Sequence, residues 1–69
     1  MMETVIEDAL RPINEDLTRI VYQRNGQSTE TDVLRILTLM ASIRTHALEN
    51  GWDQACDMNL NEIQSILNQ

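Results

Sequence analysis

Apolar residues recur at alternating intervals of four and three along the first third of the chain, at Ile6, Leu10, Ile13, Leu17 and Ile20. This heptad spacing is typical of an amphipathic helix that faces a core. It predicts a first helix from about Thr4 to Asn25. Pro12 falls within this span, and a proline in a helix interior removes one backbone hydrogen bond. Either the helix is kinked at Pro12, or a short turn ends there and the main helix starts.

The second apolar segment predicts a helix from about residue 30 to residue 50, with two adjacent apolar stripes. The first stripe comprises Val33, Ile36, Met40, Ile43 and Ala47, extended by Leu39. The second stripe comprises Leu34, Leu37, Ala41 and Leu48. Together they cover more than half of the helix circumference, whereas a helix that packs on one neighbour needs an apolar arc of only about 100°.

The first helix can cover only one of these stripes, and a second copy of the chain is the simplest cover for the surplus. We therefore expect a homodimer with a four-helix-like core, in parallel or antiparallel orientation. Its expected interface comprises Val33, Ile36, Leu37, Met40, Ile43, Arg44 and Ala47. In the alternative interpretation, a third helix folds back and completes the core of a monomer.

The two glycines, Gly26 and Gly51, each follow an asparagine, a pattern that predicts helix ends. Asn59 is a suitable cap for a short third helix over about residues 60–68. No segment shows the period of two that is typical of a strand. The sequence thus predicts a single all-α domain, a helical hairpin followed by a short C-terminal helix.

Arg44 interrupts the apolar arc of the second helix. A charged group in such a place must reach water or form a pair. Arg44 either lies at the rim with its head in solvent, or pairs with Glu15, Asp16 or a carboxylate of a second chain.

Acidic residues outnumber basic ones by 11 to 5, which gives a net charge of −6, and all five basic residues are arginines. This balance disfavours nucleic acid and anionic membranes as direct partners. No apolar run approaches the roughly 20 residues of a membrane span, and no signal peptide is evident. A single cysteine forms no internal disulfide. We expect a cytoplasmic protein.

Candidate chemistry is sparse, with one histidine (His46), one cysteine (Cys56) and one tyrosine (Tyr22). A zinc site needs three or four ligands, and His46 and Cys56 supply two. The segment from Asp57 to Asn61 matches the start of a calcium loop, but Glu62 stands where the loop requires glycine. The expectation is therefore no catalytic, cofactor or metal site, and no enzymatic activity.

The acidic outer face of the first helix suits a protein partner with a basic surface. The residues expected to contact this partner are Glu7, Asp8, Glu15, Asp16 and Tyr22. An exposed aromatic ring near a helix end is a suitable binding anchor, which is why Tyr22 joins the set.

The apolar layout around the predicted loop resembles one known family, through Leu17, Ile20, Val21, Gly26, Thr31, Val33, Leu34, Leu37 and Met40. These positions resemble the biofilm-development and acid-resistance regulators of enteric bacteria, which are small acidic helical hairpins. Small phage-encoded inhibitors of host regulators look similar. The chain differs from the first family in lacking a basic residue just after the cap of the second helix and in the added segment from Trp52 to Gln69.

The resemblance implies a dimer that acts as a connector or antagonist in signalling. Together with the acidic face, it indicates a regulator that binds, and by doing so inhibits, a transcription or signalling protein. Two alternatives remain open. One is a structural subunit held in a larger complex by apolar surface, and the other is an acidic antitoxin that neutralises a basic toxin.

Overall fold

The computed structural model describes residues 2–24 and 27–69, which form three α-helices and, within these ranges, no strand. They are α1 (Met2–Gln23), α2 (Gln27–Asn50) and α3 (Gln54–Leu67). The all-α prediction is confirmed. The molecule is elongated, with principal extents of 36 × 18 × 16 Å. No helix in the described ranges combines the length and apolar character needed to cross a bilayer.

Helix α1 continues through Pro12 as one helical segment. Pro12 has no N–H group, so one carbonyl in the preceding turn lacks its usual donor. Because the proline is exposed to solvent, water can donate a hydrogen bond to that carbonyl instead. The predicted heptad residues face the core and are buried: Ile6, Leu10, Ile13, Leu17 and Ile20. Asn25 and Gly26, predicted to end this helix, lie outside the described residues.

Helix α2 begins three residues before the predicted start, so Thr29 lies inside the helix, where its side chain is buried. The other end follows the prediction. Gly51 has a positive φ of 82°, and its N–H group donates to the carbonyl of Ala47 at 2.8 Å. Glycine adopts this left-handed conformation without the steric cost that a Cβ atom brings.

Helix α3 begins six residues earlier than predicted, because Asp53 rather than Asn59 caps it. The Asp53 carboxylate accepts a hydrogen bond from the N–H group of Ala55 at 3.0 Å, and its backbone is extended, as expected at an N-cap. The additional turn brings Cys56 into the buried side of the helix, together with Ile63 and Ile66.

A single core joins the three helices, and α2 contributes its first stripe to it. Ile36, Met40, Ile43 and Ala47 are at most 1% exposed, although they were expected at an interface between copies. Because α3 is longer than predicted and packs back on α2, these side chains have no surface left for a second copy. They belong to the core of one chain, as the alternative interpretation described.

Candidate functional site

The second apolar stripe of α2 remains on the surface. Leu34, Leu37 and Leu48 are 66%, 46% and 56% exposed, and Ala41 between them is also exposed. Leu34, Ala41 and Leu48 are spaced by seven residues, so they lie on one side of the helix. Of the expected interface residues, Leu37, Arg44 and Val33 thus retain surface, and the other four do not.

Helix α1 extends this apolar surface across a groove. Val21 and Tyr22 of α1 line the groove together with Val33 and Leu37 of α2. Tyr22 is 82% exposed, so most of its ring is in solvent. We call this surface the α1–α2 face, which comprises Val21, Tyr22, Leu34, Leu37, Ala41 and Leu48.

Arg44 connects the two helices at the other end of this face. Its Nε and Nη2 atoms donate to Glu7 Oε2 and Oε1 at 3.0 and 3.1 Å, across 37 residues of sequence. These hydrogen bonds, and secondarily the positive charge of Arg44, lower the pKa of Glu7 below its ordinary value. The partner expected from sequence was Glu15, Asp16 or a second chain. The structure places Glu7 there, since it lies on the side of α1 that faces α2.

Most of the acidic residues expected to bind a partner already have a cation beside them. Asp8 pairs with Arg11 one turn along α1, and Asp16 pairs with Arg19 at 2.7 Å in the same way. With Glu7 on Arg44, only Glu15 of the four carboxylates has no ion pair among the described residues. The negative potential of this helix face is therefore weaker than the count of carboxylates suggests.

All five arginines contact acceptors of their own chain. Besides the three pairs on α1 and α2, Arg35 binds Glu62 of α3 at 2.7 Å, and Arg24 donates to the carbonyl of Leu67 at 3.2 Å. Among residues 2–24 and 27–69, the carboxylates that form no ion pair with an arginine include Glu3, Glu15, Glu30, Asp32 and Glu49, and these carry much of the surplus negative charge.

One cluster of metal-ligating side chains lies at the corner between α2 and α3. His46, Asp53 and Cys56 each bring a ligand atom to within 4.8 Å of the other two. The His46 ring nitrogen lies 2.8 Å from Asp53 Oδ2, a contact that lowers the pKa of Asp53 below its ordinary value. Sequence reasoning identified His46 and Cys56 but missed Asp53, because it placed the start of the third helix beyond these residues.

Searches against protein-family models, curated proteins and solved structures found no match to this chain. The apolar positions that resemble the known family lie in different parts of the structure. Leu17, Ile20 and Met40 are core residues, whereas Leu34 and Leu37 lie on the α1–α2 face.

Proposed function

We propose that this chain is a non-enzymatic protein-binding regulator that acts as a homodimer. The observation that carries the proposal is the row of exposed apolar side chains on α2, continued by Val21 and Tyr22 on α1. Contiguous apolar surface of this kind is typical of protein interaction sites. The occupant we assign to it is a second copy of the same chain.

The spacing along α2 supports self-association. Leu34 and Leu48 lie seven residues on either side of Ala41. A two-fold axis through Ala41 would bring Leu34 against the partner's Leu48 and would repeat the contact on the other side, as an isologous interface requires. The small side chain of Ala41 lets the two helices approach closely at the axis.

Charge favours the antiparallel orientation of the two α2 helices. A parallel pair in register would place Arg44 beside its own copy and Glu30 beside its own copy, and like charges in such positions are destabilising. An antiparallel pair about Ala41 separates both pairs of like charges. The sequence left this orientation open, and the seven-residue spacing and charges together favour one choice.

The position of α3 leaves room for this arrangement. Arg35 and His46, which contact Glu62 and Asp53, point about 100–160° away from Leu34 and Leu48 around α2. Two α1–α2 hairpins could therefore pack together as a four-helix core while each α3 stays outside it.

Sedimentation equilibrium tests this proposal directly, because it measures the mass of the particle in solution. Wild type is expected to be a dimer, whereas Ala41→Glu and Leu48→Ser shift it to monomer. Met58→Ser is the matched control, because Met58 is a similarly exposed apolar residue on α3. A wild type that stays monomeric at millimolar concentration, or equal dissociation by the control, would exclude the proposed interface.

Cysteine crosslinking tests the orientation in a Cys56→Ala background. In the antiparallel dimer, Leu34→Cys alone gives no disulfide, whereas a mixture of Leu34→Cys and Leu48→Cys chains gives a crosslinked heterodimer. Ala41→Cys crosslinks in either orientation and serves as the positive control. Crosslinking of Leu34→Cys to itself would indicate a parallel dimer.

The regulatory part of the proposal rests on charge. Dimerisation doubles a net charge of −6 and brings the unpaired carboxylates of two chains into one particle. Such a particle would attract a basic surface, for example a DNA-binding domain, and would block it by covering it. An antitoxin would use the same mechanism against a basic toxin.

A structural subunit of a larger complex is the second candidate, and the paired state of Glu7, Asp8 and Asp16 favours it. The salt dependence of partner binding distinguishes the regulator from the structural subunit. The complex of a charge-driven regulator with its partner weakens as salt rises and in Glu15→Gln, because screening and charge removal act on the same attraction. A complex that is indifferent to both supports the structural subunit.

A further inference from the structure

The corner between α2 and α3 brings together three side chains of different donor chemistry. His46 lies in the last turns of α2, Asp53 caps α3, and Cys56 lies in the first turn of α3. Their ligand atoms, a ring nitrogen, a carboxylate oxygen and a sulfur, all lie within 4.8 Å of one another. No other element of the described chain places three such atoms together.

We propose that His46, Asp53 and Cys56 form a binding site for a zinc-class divalent ion. Zinc takes nitrogen, sulfur and carboxylate oxygen as ligands, usually in a tetrahedral arrangement. Asp53 and Cys56 are separated by two residues, which is the spacing of the short ligand pairs of many zinc sites. The proposal goes beyond the dimer interface, from which these residues are separate.

The geometry requires little movement. Tetrahedral zinc, with bonds of about 2.0–2.3 Å, holds its ligand atoms about 3.3–3.6 Å apart. The three ligand atoms lie within 4.8 Å of one another, which exceeds this range by about 1 Å at most, and the 2.8 Å between His46 Nε2 and Asp53 Oδ2 is slightly below it. Small rotations of exposed His46 and Asp53 side chains can supply both adjustments.

The surroundings of the three ligands suit a cation. Cys56 is fully buried, and its thiol donates a weak hydrogen bond to the carbonyl oxygen of Ile43 at 4.0 Å, so binding of a metal ion would replace this S–H group by a thiolate. A bound divalent ion neutralises that thiolate together with the Asp53 carboxylate. His46 and Asp53 are partly exposed, which leaves a path for the ion and a fourth position for water.

One oxygen of the Asp53 carboxylate is anchored independently of any ion. Its Oδ1 atom accepts from the N–H group of Ala55 at 3.0 Å. Outer hydrogen bonds of this kind orient ligands in metal sites. Without a metal site, the contact between His46 and Asp53 would be an ordinary ion pair, and Cys56 would serve only as a small apolar core residue. Whether the Cys56 sulfur binds the ion therefore distinguishes a metal site from these structural roles.

Titration of the metal-free protein with Co²⁺ and Zn²⁺ tests the site. We expect one ion per chain, a Co²⁺ spectrum of tetrahedral type with a sulfur-to-cobalt charge-transfer band, and displacement of Co²⁺ by Zn²⁺. Trp52, the single tryptophan, is adjacent to Asp53 and should report binding by a change in fluorescence.

Three variants remove one ligand each: Cys56→Ala, His46→Gln and Asp53→Asn. Each should weaken Zn²⁺ binding more than the roughly 10- to 100-fold typical of outer-shell substitutions, and Cys56→Ala should abolish the charge-transfer band. Glu49→Gln, a nearby exposed carboxylate outside the cluster, is the control and should bind normally.

The proposal is overturned by absence of binding at micromolar Zn²⁺, by binding without the charge-transfer band, or by equal affinity in Cys56→Ala. Circular dichroism without metal checks that each variant folds. Should Cys56→Ala fail to fold, the exposed variants His46→Gln and Asp53→Asn decide, because asparagine retains the capping function of Asp53. Unchanged affinity in both would exclude the site.

Discussion

Arg44 of α2 binds Glu7 of α1 through two hydrogen bonds of 3.0 and 3.1 Å, and this pair joins the helices beside the proposed interface. Both side chains are partly exposed, at 38% and 54%. Exposed ion pairs contribute little to stability, although a two-pronged arginine–carboxylate contact is the stronger kind. The pair therefore orients the two helices more than it stabilises them.

Removal of either partner should lower the thermal midpoint by a few degrees at most. We expect Arg44→Gln and Glu7→Gln to have similar effects, and the double variant to lose no more than the worse single one, because both delete the same contact. Thermal unfolding followed by circular dichroism measures this. Arg19→Gln, which removes a local pair within α1, is the control. Additive effects of the two single changes would show that the contact is not formed.

Adjacent positions on α2 should respond very differently to truncation. Ile36 is fully buried and Leu37 is 46% exposed. Ile36→Ala should lower the free energy of unfolding by about 2–5 kcal/mol, whereas Leu37→Ala should change it by less than about 1 kcal/mol. Urea denaturation in an Ala41→Glu background excludes any contribution from association. Equal losses would contradict the assignment of the two stripes.

Replacement of Pro12 should stabilise α1. The helix continues through this residue, and its exposed ring can be removed without opening a cavity. Pro12→Ala restores a backbone donor and should raise the free energy of unfolding by about 1–3 kcal/mol. Asn14→Ala, also exposed within α1, controls for the helix preference of alanine and should have a smaller effect. A loss of stability in Pro12→Ala would argue against a continuous helix.

Acid should destabilise the fold partly through Glu7 and Asp53. Hydrogen bonds from Arg44 and His46 lower the pKa of these carboxyl groups below their ordinary values of 4.5 and 3.8. A lowered pKa in the folded state means that the stabilisation is complete above the unfolded value and is lost as pH falls through the folded one. Carboxyl titration by NMR should show the pKa of Glu7 rising towards 4.5 in Arg44→Gln. An unchanged Glu7 titration in that variant would contradict the assigned cause.

The cap of α3 should depend on a side-chain acceptor at position 53. In the absence of metal, Asp53→Asn retains an acceptor for the N–H group of Ala55, so its thermal midpoint should stay close to that of wild type. Asp53→Ala loses this acceptor and should melt several degrees lower. Hydrogen exchange at Ala55 and Cys56 provides the local measurement. Equal midpoints for the two variants would show that the cap contributes nothing.

The periodicity of the chain determined much of the fold. The heptad spacing from Ile6 to Ile20 identified the buried side of α1, because residues at these intervals share one face of any helix. The Asn50–Gly51 pair marked the end of α2 through the left-handed conformation that glycine allows. Local conformational preference and helix geometry suffice for such features.

Which neighbour covers which face of a helix depends on how the three helices pack. The sequence places Ile36 and Leu37 on two different apolar stripes of α2, but it does not say which stripe is buried, because burial depends on where α1 and α3 pack. The same reason applies to Glu7 as the partner of Arg44 and to Asp53 beside His46. The Glu7–Arg44 contact joins residues that are 37 positions apart, and the His46–Asp53 contact depends on where α3 starts. The local sequence pattern specifies neither the long-range contact nor the helix start.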